Sequence, residues 1–273
     1  MHYLRYILTL MILFLTVIVS NAVNYTSAKT GVWNDPTTWS PNGIPGSADN
    51  VTIVWSHQIT FPGSSSNVEI NNLNFSSSLN IGGNLTINGT FSYADGSNLT
   101  VGGTLYVNSS FTNKGTTNIG GELIVNGAFT NNDGTFFHAG GDVSITGDVN
   151  NRGTFVTDGN LDITGNISFS DGTLVVVNGD FTKSGNMTST ANIVVTGSFI
   201  SNGGTTTTSQ YNGSLYIFES CNSGCTWRKD LIDWLNQDNP WGFSYVNLTN
   251  GSAIYDTPGT YTFNVPNGVT SVT

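Results

Sequence analysis

Apolar and polar residues alternate along the middle of this chain in short runs, and glycines separate one run from the next. The segments Leu79-Asn80-Ile81, Leu85-Thr86-Ile87 and Gly89-Thr90-Phe91 illustrate the pattern. Alternation with a period of two is typical of β-strands with one buried face, and glycine is typical of the turns between them. The pattern therefore predicts many short strands joined by tight corners.

This pattern repeats from Leu79 to Phe199 in the form L-x-[IV]-G-G-x-[LV]-x-[IV]-x-G-x-[FVI]. One set of corner glycines steps alternately by 20 and 18 residues, and it comprises Gly83, Gly103, Gly121, Gly141, Gly159, Gly179 and Gly197. A second set steps by 19 residues each time, and it comprises Gly96, Gly115, Gly134, Gly153 and Gly172. Two unlike coils therefore make one 38-residue unit. A fixed period of this length is typical of solenoids, whose repeats stack on their neighbours.

The sequence predicts an all-β fold of the parallel β-helix (β-solenoid) type, with coils of about 19 residues that span residues 51–204. The inward positions form two apolar series that would stack into continuous ladders. The first series is Leu85, Leu105, Leu123, Val143, Leu161, Phe181 and Phe199. The second series is Phe91, Phe111, Phe129, Val149, Ile167 and Met187. One coil buries too few side chains to be stable alone, so we expect stability to come from contacts between neighbouring coils.

Polar residues also recur at the corners. Asp95-Gly96, Asp133-Gly134 and Asp171-Gly172 lie 38 residues apart. Asp-Gly is a strong turn signal, because glycine accepts a positive φ and aspartate hydrogen-bonds its own turn. A ladder of calcium-binding or catalytic carboxylates is the alternative. The asparagines that lie two residues before a corner glycine are expected to stack as a structural ladder, and they are Asn113, Asn132 and Asn151.

The segment 23–50 differs from the repeats and is predicted to cap the first coil. Trp33 and Trp39 are large enough to cover the apolar cross-section, and the prolines of the segment lack the donor that a further strand would need. His57 lies just beyond the segment with no second histidine or cysteine nearby. We interpret His57 as a structural residue at a strand end.

The motifs of this region occur in the order G-x-W…T-W…P-G…D-x-V-x-I…H between Gly31 and His57. This order resembles the leader that opens many secreted bacterial cell-surface proteins built on β-solenoid repeats. The resemblance covers about 35 residues and implies that the segment is the beginning of the solenoid and not a catalytic module.

Residues 1–22 are predicted to be a secretory signal peptide. Arg5 supplies a positive charge, an apolar run extends from Ile7 to Val19, and Ser20-Asn21-Ala22 offers small residues for cleavage. The run is shorter than the roughly 20 residues of a spanning helix, and a membrane anchor is the alternative. We therefore expect a secreted or cell-surface protein that has no membrane association after signal cleavage.

The two cysteines, Cys221 and Cys225, lie in the sequence C-N-S-G-C. The residues between them permit a tight turn, and an oxidising compartment favours a bridge. We predict a local structural disulfide, with free thiols as the alternative. Because a metal site would need further ligands, we predict no metal and no cofactor.

Residues 205–255 are predicted to form a strand-helix-strand segment. The helix would present one apolar face, formed by Trp227, Leu231 and Trp234. The coils offer a matching surface, because an outward position that is polar in the early coils becomes apolar at Val156, Val176 and Val194. We predict that residues 211–250 fold back over this valine row or over the open end of the stack. Binding of a partner by the helix is the alternative.

The final residues, 256–273, are predicted to begin a further domain that this chain carries only in part. They contain the motif F-x-V-P-x-G-V-x-S-V, which resembles the opening of a glycine-rich extracellular domain in similar surface proteins. We therefore expect a longer protein, whose remaining part carries more of the function.

The charge composition excludes several classes of partner. Charged residues are 9% of the chain, against roughly 25% in ordinary soluble domains. Without residues 1–22, which contain Arg5, the chain has 17 acidic and 6 basic residues and a net charge of −11. A surface of this kind is not expected to bind nucleic acid or anionic lipid. The partner that we expect is an extracellular polysaccharide or the cell-surface matrix.

The leading functional prediction is a non-enzymatic structural or adhesin-like element that contacts carbohydrate. A polysaccharide lyase or hydrolase is the first alternative, but these reactions need paired carboxylates, or a base with charge stabilisation, and the sequence offers no evident constellation. An ice- or surface-binding solenoid is the second alternative. It would need a regular threonine face, whereas the outward positions Thr86, Tyr106 and Ile124 are mixed.

Overall fold

The computed structural model describes residues 21–208, 214–225 and 228–229. In these residues the chain is almost entirely β, with one short 3-10 helix at Pro36–Thr38. The strands are β1 (Asn24–Ser27), β2 (Gly31–Val32), β3 (Trp39–Ser40), β4 (Asn50–Ile53), β5 (Gln58–Phe61), β6 (Val68–Ile70), β7 (Asn72–Phe75), β8 (Ser78–Ile81), β9 (Leu85–Ile87), β10 (Phe91–Tyr93), β11 (Asn98–Val101), β12 (Leu105–Val107), β13 (Phe111–Asn113), β14 (Thr116–Ile119), β15 (Leu123–Val125), β16 (Phe129–Asn131), β17 (Phe136–Ala139), β18 (Val143–Ile145), β19 (Val149–Asn151), β20 (Thr154–Thr157), β21 (Leu161–Ile163), β22 (Ile167–Phe169), β23 (Leu174–Val177), β24 (Phe181–Lys183), β25 (Met187–Ser189), β26 (Asn192–Val195), β27 (Phe199–Ser201), β28 (Thr206–Thr208), β29 (Leu215–Ile217) and β30 (Arg228–Lys229).

The strands wind into a solenoid with three faces, and each full coil contributes one strand to each face. The first face is an 11-stranded sheet in the order β2-β5-β8-β11-β14-β17-β20-β23-β26-β29-β30. The second face is an 8-stranded sheet in the order β27-β24-β21-β18-β15-β12-β9-β6. The third face consists of a 5-stranded sheet, β10-β7-β4-β1-β3, followed by a 6-stranded sheet, β13-β16-β19-β22-β25-β28. The predicted parallel β-solenoid is confirmed.

Neighbouring coils pair in register, so equivalent residues stack directly. Leu105 lies opposite Leu85 in one neighbouring coil and opposite Leu123 in the other. Parallel pairing places such positions about 4.8 Å apart. Every residue of the two predicted apolar series is buried. Between β10 and β13, where the third face changes sheet, the rings of Phe91 and Phe111 stack with centroids 5.0 Å apart and continue the core.

The alternation of 20- and 18-residue steps arises at one edge of the solenoid, where the third face meets the first. Every second corner at this edge has four residues, and these corners are 54–57, 94–97, 132–135 and 170–173. The corners between them have two residues, and these are 76–77, 114–115, 152–153 and 190–191. The strands of successive coils are otherwise alike. We call this alternation of long and short corners the notched edge.

Two tryptophans close the apolar interior at the N-terminal end. Trp33 and Trp39 are buried in the same hydrophobic cluster as the coil residues, and Nε1 of Trp39 donates to the carbonyl oxygen of Trp33 at 2.8 Å. Strand β3 pairs antiparallel with β1 and ends the third face. An edge strand of two residues gives little opportunity for pairing with another chain. Because β1 and β2 pair with β4 and β5, the predicted cap is continuous with the solenoid.

The predicted disulfide lies at the other end. Cys221 forms a β-bridge with Phe199, so it begins the second side of a further coil, and it is bonded to Cys225. Gly224 has a φ of +83°, and a β-carbon at this position would lie 2.6 Å from that of Thr206. The bridged turn therefore lies directly over the last complete coil.

The chain after the disulfide departs from the predicted helix at its first residues. Arg228 and Lys229 form β30, which pairs in parallel with Leu215 and Tyr216 of β29. The edge of β29 that does not face β26 offers backbone hydrogen bonds to a further strand. At this point these hydrogen bonds favour a strand, although the spacing of the apolar residues is helical. Trp227, Leu231 and Trp234 lie outside the described residues, as do residues 1–20 and 230–273.

Candidate functional site

The corner glycines predicted from the repeat stack closely on one another. The N–H of Gly103 donates to the carbonyl oxygen of Gly83 at 3.0 Å, and the N–H of Gly121 donates to that of Gly103 at 3.0 Å. A β-carbon at Gly121 would lie 3.0 Å from the backbone carbonyl carbon of Gly103. Side chains rarely approach so closely, so the spacing of the coils accounts for glycine at these positions.

The polar residue after several of these corners links one coil to the next. Oδ1 of Asp142 accepts the backbone N–H of Asn160 at 2.7 Å, and Oδ1 of Asn160 accepts that of Asp180 at 2.9 Å. Oδ1 of Asp180 in turn accepts the N–H of Ser198 at 2.8 Å. These oxygens satisfy backbone donors at turns, where the β-ladder is interrupted. The side chains therefore have a structural role.

A second polar row lies inside the solenoid. The hydroxyl of Tyr93 donates to Oδ1 of Asn113, Nδ2 of Asn113 donates to Oδ1 of Asn131 at 2.7 Å, and Nδ2 of Asn131 donates to Oδ1 of Asn151 at 2.7 Å. Burial raises the pKa of the Tyr93 phenol, so its hydroxyl stays protonated and remains a donor. The prediction that Asn132 belongs to this ladder is wrong. The corner 132–135 is a long one, which moves the stacked position one residue further from its glycine.

The predicted valine row lies on the outer side of the first face and is buried. Val156, Val176 and Val194 form a hydrophobic cluster with Tyr216, separate from the core, and Phe136, Leu174 and Phe218 pack against it. Tyr216 lies opposite Val194 in the next strand, so it extends the same row. The apolar surface is therefore larger than the sequence predicted. The prediction that residues 211–250 cover it involves Trp227, Leu231 and Trp234, which lie outside the described residues.

One lysine points into the core. Lys183 stacks between Ile163 and Ser201 on the second face and is fully buried. Its Nζ donates to the carbonyl oxygens of Gly185 at 3.0 Å and Gly203 at 2.8 Å. Burial lowers the pKa of the Lys183 ammonium, because desolvation disfavours the charged form. Both acceptors are backbone carbonyl oxygens. Lys183 therefore supplies hydrogen-bond donors to corner carbonyls at the C-terminal end of the solenoid.

The histidines have separate surroundings. His57 directly precedes β5, and its Nδ1 lies 2.9 Å from the hydroxyl of Ser27, which agrees with a structural role. Nε2 of His138 lies 3.0 Å from Oδ2 of Asp158 on the outer side of the first face. The hydrogen bond from His138 lowers the pKa of the Asp158 carboxyl, against the opposing effect of its partial burial.

The notched edge collects charged side chains that the sequence separates. The long corners carry Asp95, Asp133 and Asp171, and the short corners between them carry Lys114 and Arg152. A cleft of about 610 Å³ lies between the corners 94–97 and 132–135, and its lining includes Asp95, Lys114, Asp133 and Arg152. Acidic and basic groups thus alternate from coil to coil along a single line.

These charges are free of ion pairing. The ion pairs in the described part of the chain join Lys29 to Asp35 and His138 to Asp158. Neither pair involves the notched edge. The carboxylates of the long corners and the cations of the short corners therefore remain available to a ligand that fits between them.

An exposed tryptophan lies on the same edge. Trp55 occupies the long corner 54–57, two coils before the corner that carries Asp95, and 78% of its surface is accessible. Tryptophan is highly buried on average, and it is enriched among the residues that contribute most to binding at interfaces. The sequence patterns did not indicate Trp55 as a binding residue. No signal in the sequence pointed to it, because only the strand bounds of the structure define its corner as a long one.

No cluster of three or more His, Cys, Asp or Glu side chains that could hold a metal ion occurs in residues 21–208, 214–225 and 228–229. Within the same ranges, no helix has the length and apolar character of a membrane span. In comparisons with protein-family models, curated proteins and solved structures, no match to this chain is found. Function is therefore inferred from the geometry of the chain itself.

Proposed function

We propose that this protein is a non-enzymatic, secreted or cell-surface β-solenoid that acts as a structural, adhesin-like element and contacts extracellular carbohydrate. The observation that carries the proposal is the use of the polar repeat residues. Asn113, Asn131, Asp142 and Asp180 hydrogen-bond to neighbouring coils, which is the behaviour of a scaffold. At the notched edge, by contrast, the acidic and basic side chains alternate from coil to coil and take no part in the ion pairs of the described residues.

A polysaccharide lyase is the second candidate, and one observation favours it. The cleft places Asp133 near Lys114 and Arg152, and a lyase needs a base together with a cation that stabilises developing negative charge. A catalytic base usually has a strongly perturbed environment. Asp133 lies instead at an exposed corner, so we favour binding over catalysis.

Ice binding has less support from the geometry. The most regular hydroxyl row follows the glycines that step by 19 residues, and it contains Ser97, Thr116, Thr135, Thr154 and Thr173. Ser97 and Thr173 are buried, with 3% and 7% of their surfaces accessible. A row with buried members does not form the flat exposed face that an ice surface requires.

The proposal is tested by incubating the full chain with a panel of immobilised polysaccharides and measuring both retention and turnover. Retention on at least one polysaccharide, with no release of reducing ends and no unsaturated product, is expected. Turnover of any member of the panel would favour the lyase or hydrolase instead. Retention on none of them would remove the carbohydrate part of the proposal.

Export is tested separately. The protein is produced in a bacterial host with its own N-terminus, and the cell fractions are analysed by N-terminal sequencing. A mature chain that starts near Val23 outside the cytoplasm is expected, because a signal peptidase would cleave after Ala22. An uncleaved chain retained in the membrane would support the membrane-anchor alternative.

A further inference from the structure

The notched edge repeats with a period that suits a linear polymer. Its long corners recur every second coil, and coils in a parallel stack are about 4.8 Å apart, so equivalent corners lie roughly 10 Å apart along the axis. This distance is close to the length of two sugar units in an extended chain. From the corner of Trp55 to that of Asp171 there are six such coil steps, or about 29 Å.

The chemistry of the edge suits hydroxyl groups. Each sugar hydroxyl both donates and accepts a hydrogen bond. The carboxylates of Asp95 and Asp133 are acceptors, whereas the side chains of Lys114 and Arg152 are donors, and the two kinds alternate from coil to coil. A polyanion would meet the repulsion of the carboxylates, and a polycation would meet that of the two basic groups. A neutral polyhydroxy chain meets neither.

Trp55 supplies an apolar platform in the same line. The exposed indole lies at the long corner 54–57, which comes two coils before the long corner of Asp95. The apolar face of a pyranose ring can pack on an aromatic ring, which gives contact area at low conformational cost. The long corners thus offer one stacking position followed by hydrogen-bonding positions.

Resting on the proposed contact with carbohydrate, we propose that the notched edge is the binding site, and that its ligand is an extended, neutral, linear polysaccharide lying along the solenoid axis. Trp55 stacks on one sugar ring. Asp95, Asp133 and Asp171 accept hydrogen bonds from hydroxyls at successive long corners, and Lys114 and Arg152 donate to the oxygens between them.

The test compares variants of the full chain on neutral β-linked glucan, xylan and chitin, with polygalacturonate and chitosan as the charged polymers. Trp55→Ala is expected to weaken binding to the neutral polymer roughly tenfold, as truncation of an aromatic anchor commonly does. Asp133→Asn combined with Arg152→Gln is expected to weaken it several-fold. The matched controls are Tyr106→Ala, an exposed aromatic residue on the second face, and Asp162→Asn, an exposed acid on that face. Both controls should bind like the wild type.

Oligosaccharides of increasing length supply an independent readout. Affinity should rise with chain length until the ligand spans the edge, at about six sugar units for a span of roughly 29 Å, and then level off. Circular dichroism and thermal unfolding establish that each variant is folded. The dependence of affinity on ligand length reports the geometry of the edge. It would not arise if the same residues had only a structural role.

The outcomes separate the site from the general function. If the wild type binds neutral polysaccharide but Trp55→Ala and the double variant bind equally well, the notched edge is not the site and the proposed function survives. If the charged polymers bind in preference to all neutral ones, the ligand class is wrong. If no polysaccharide binds, both proposals fail.

Discussion

Asn113 and Asn131 are joined across two neighbouring coils by a buried hydrogen bond of 2.7 Å from Nδ2 to Oδ1. The second N–H of the Asn113 amide donates to the carbonyl oxygen of Phe136 at 3.0 Å, so both donors are used. Asn131 repeats the arrangement with Asn151 and with the carbonyl oxygen of Thr154. A buried amide row in which Asn113 and Asn131 use both of their donors fixes the register of the coils, because a slip would leave several polar groups unsatisfied.

Replacing Asn131 by leucine should destabilise the protein by at least about 2 kcal/mol. The reason is that the side-chain Nδ2 of Asn113 and the side-chain Oδ1 of Asn151 would each lose a buried partner. The free energy of unfolding in urea measures the effect. The matched control is Asn132→Leu, one residue away and outside the ladder, where a change within about 0.5 kcal/mol is expected. Equal losses in the two variants would contradict a special role for the ladder.

Replacing Asp158 by asparagine should lower stability near neutral pH and have less effect in acid. Because the pKa of Asp158 is lowered below its ordinary 3.8 by the hydrogen bond from His138, its contribution is fully present above the unfolded pKa and is lost as pH falls through the folded pKa. The difference in unfolding free energy between wild type and variant should therefore shrink as pH falls below about 4. The control is Asp162→Asn, which changes an exposed acid. If the loss of unfolding free energy in Asp158→Asn does not depend on pH, the pair of His138 and Asp158 is not its source.

Replacing Lys183 by methionine should change how the free energy of unfolding depends on pH in the alkaline range. Burial lowers the pKa of Lys183 below 10.5, so between the folded pKa and 10.5 the unfolded state binds more protons and stability rises with pH. The wild type should gain stability relative to Lys183→Met as pH rises toward 10.5, measured by urea unfolding. If the unfolding free energies of Lys183→Met and the wild type follow parallel profiles with pH, the buried ammonium does not cause the rise in stability.

Deleting residues 230–273 should uncover the valine row if, as the sequence predicts, residues 211–250 fold back over it. Val156, Val176 and Val194 face outward from the first face and are nevertheless buried. Their exposure would create an apolar patch, which a dye that fluoresces on apolar surfaces reports. A rise in dye fluorescence with unchanged β-structure by circular dichroism is expected. Unchanged fluorescence would mean that the described residues alone cover the row.

The sequence by itself determined the parallel stack and its interior. Alternation with a period of two decided which residues face inward, and the regular glycine spacing kept Leu85, Leu105 and Leu123 in one ladder. It also indicated the disulfide, because the residues between Cys221 and Cys225 favour a tight turn. These features are local or strictly periodic, so they are visible without knowledge of contacts between distant residues.

Only the tertiary structure decided where the irregular residues meet. The 20/18 alternation did not reveal that the extra residues lie at one edge, and it therefore misplaced the amide ladder at Asn132 and missed Trp55. Lys114 and Arg152 are 38 residues apart in the chain but line one cleft. The reason is physical: hydrogen bonding between coils aligns the strands, so any difference in coil length must be absorbed at a corner, and the strand pattern does not say which corner absorbs it.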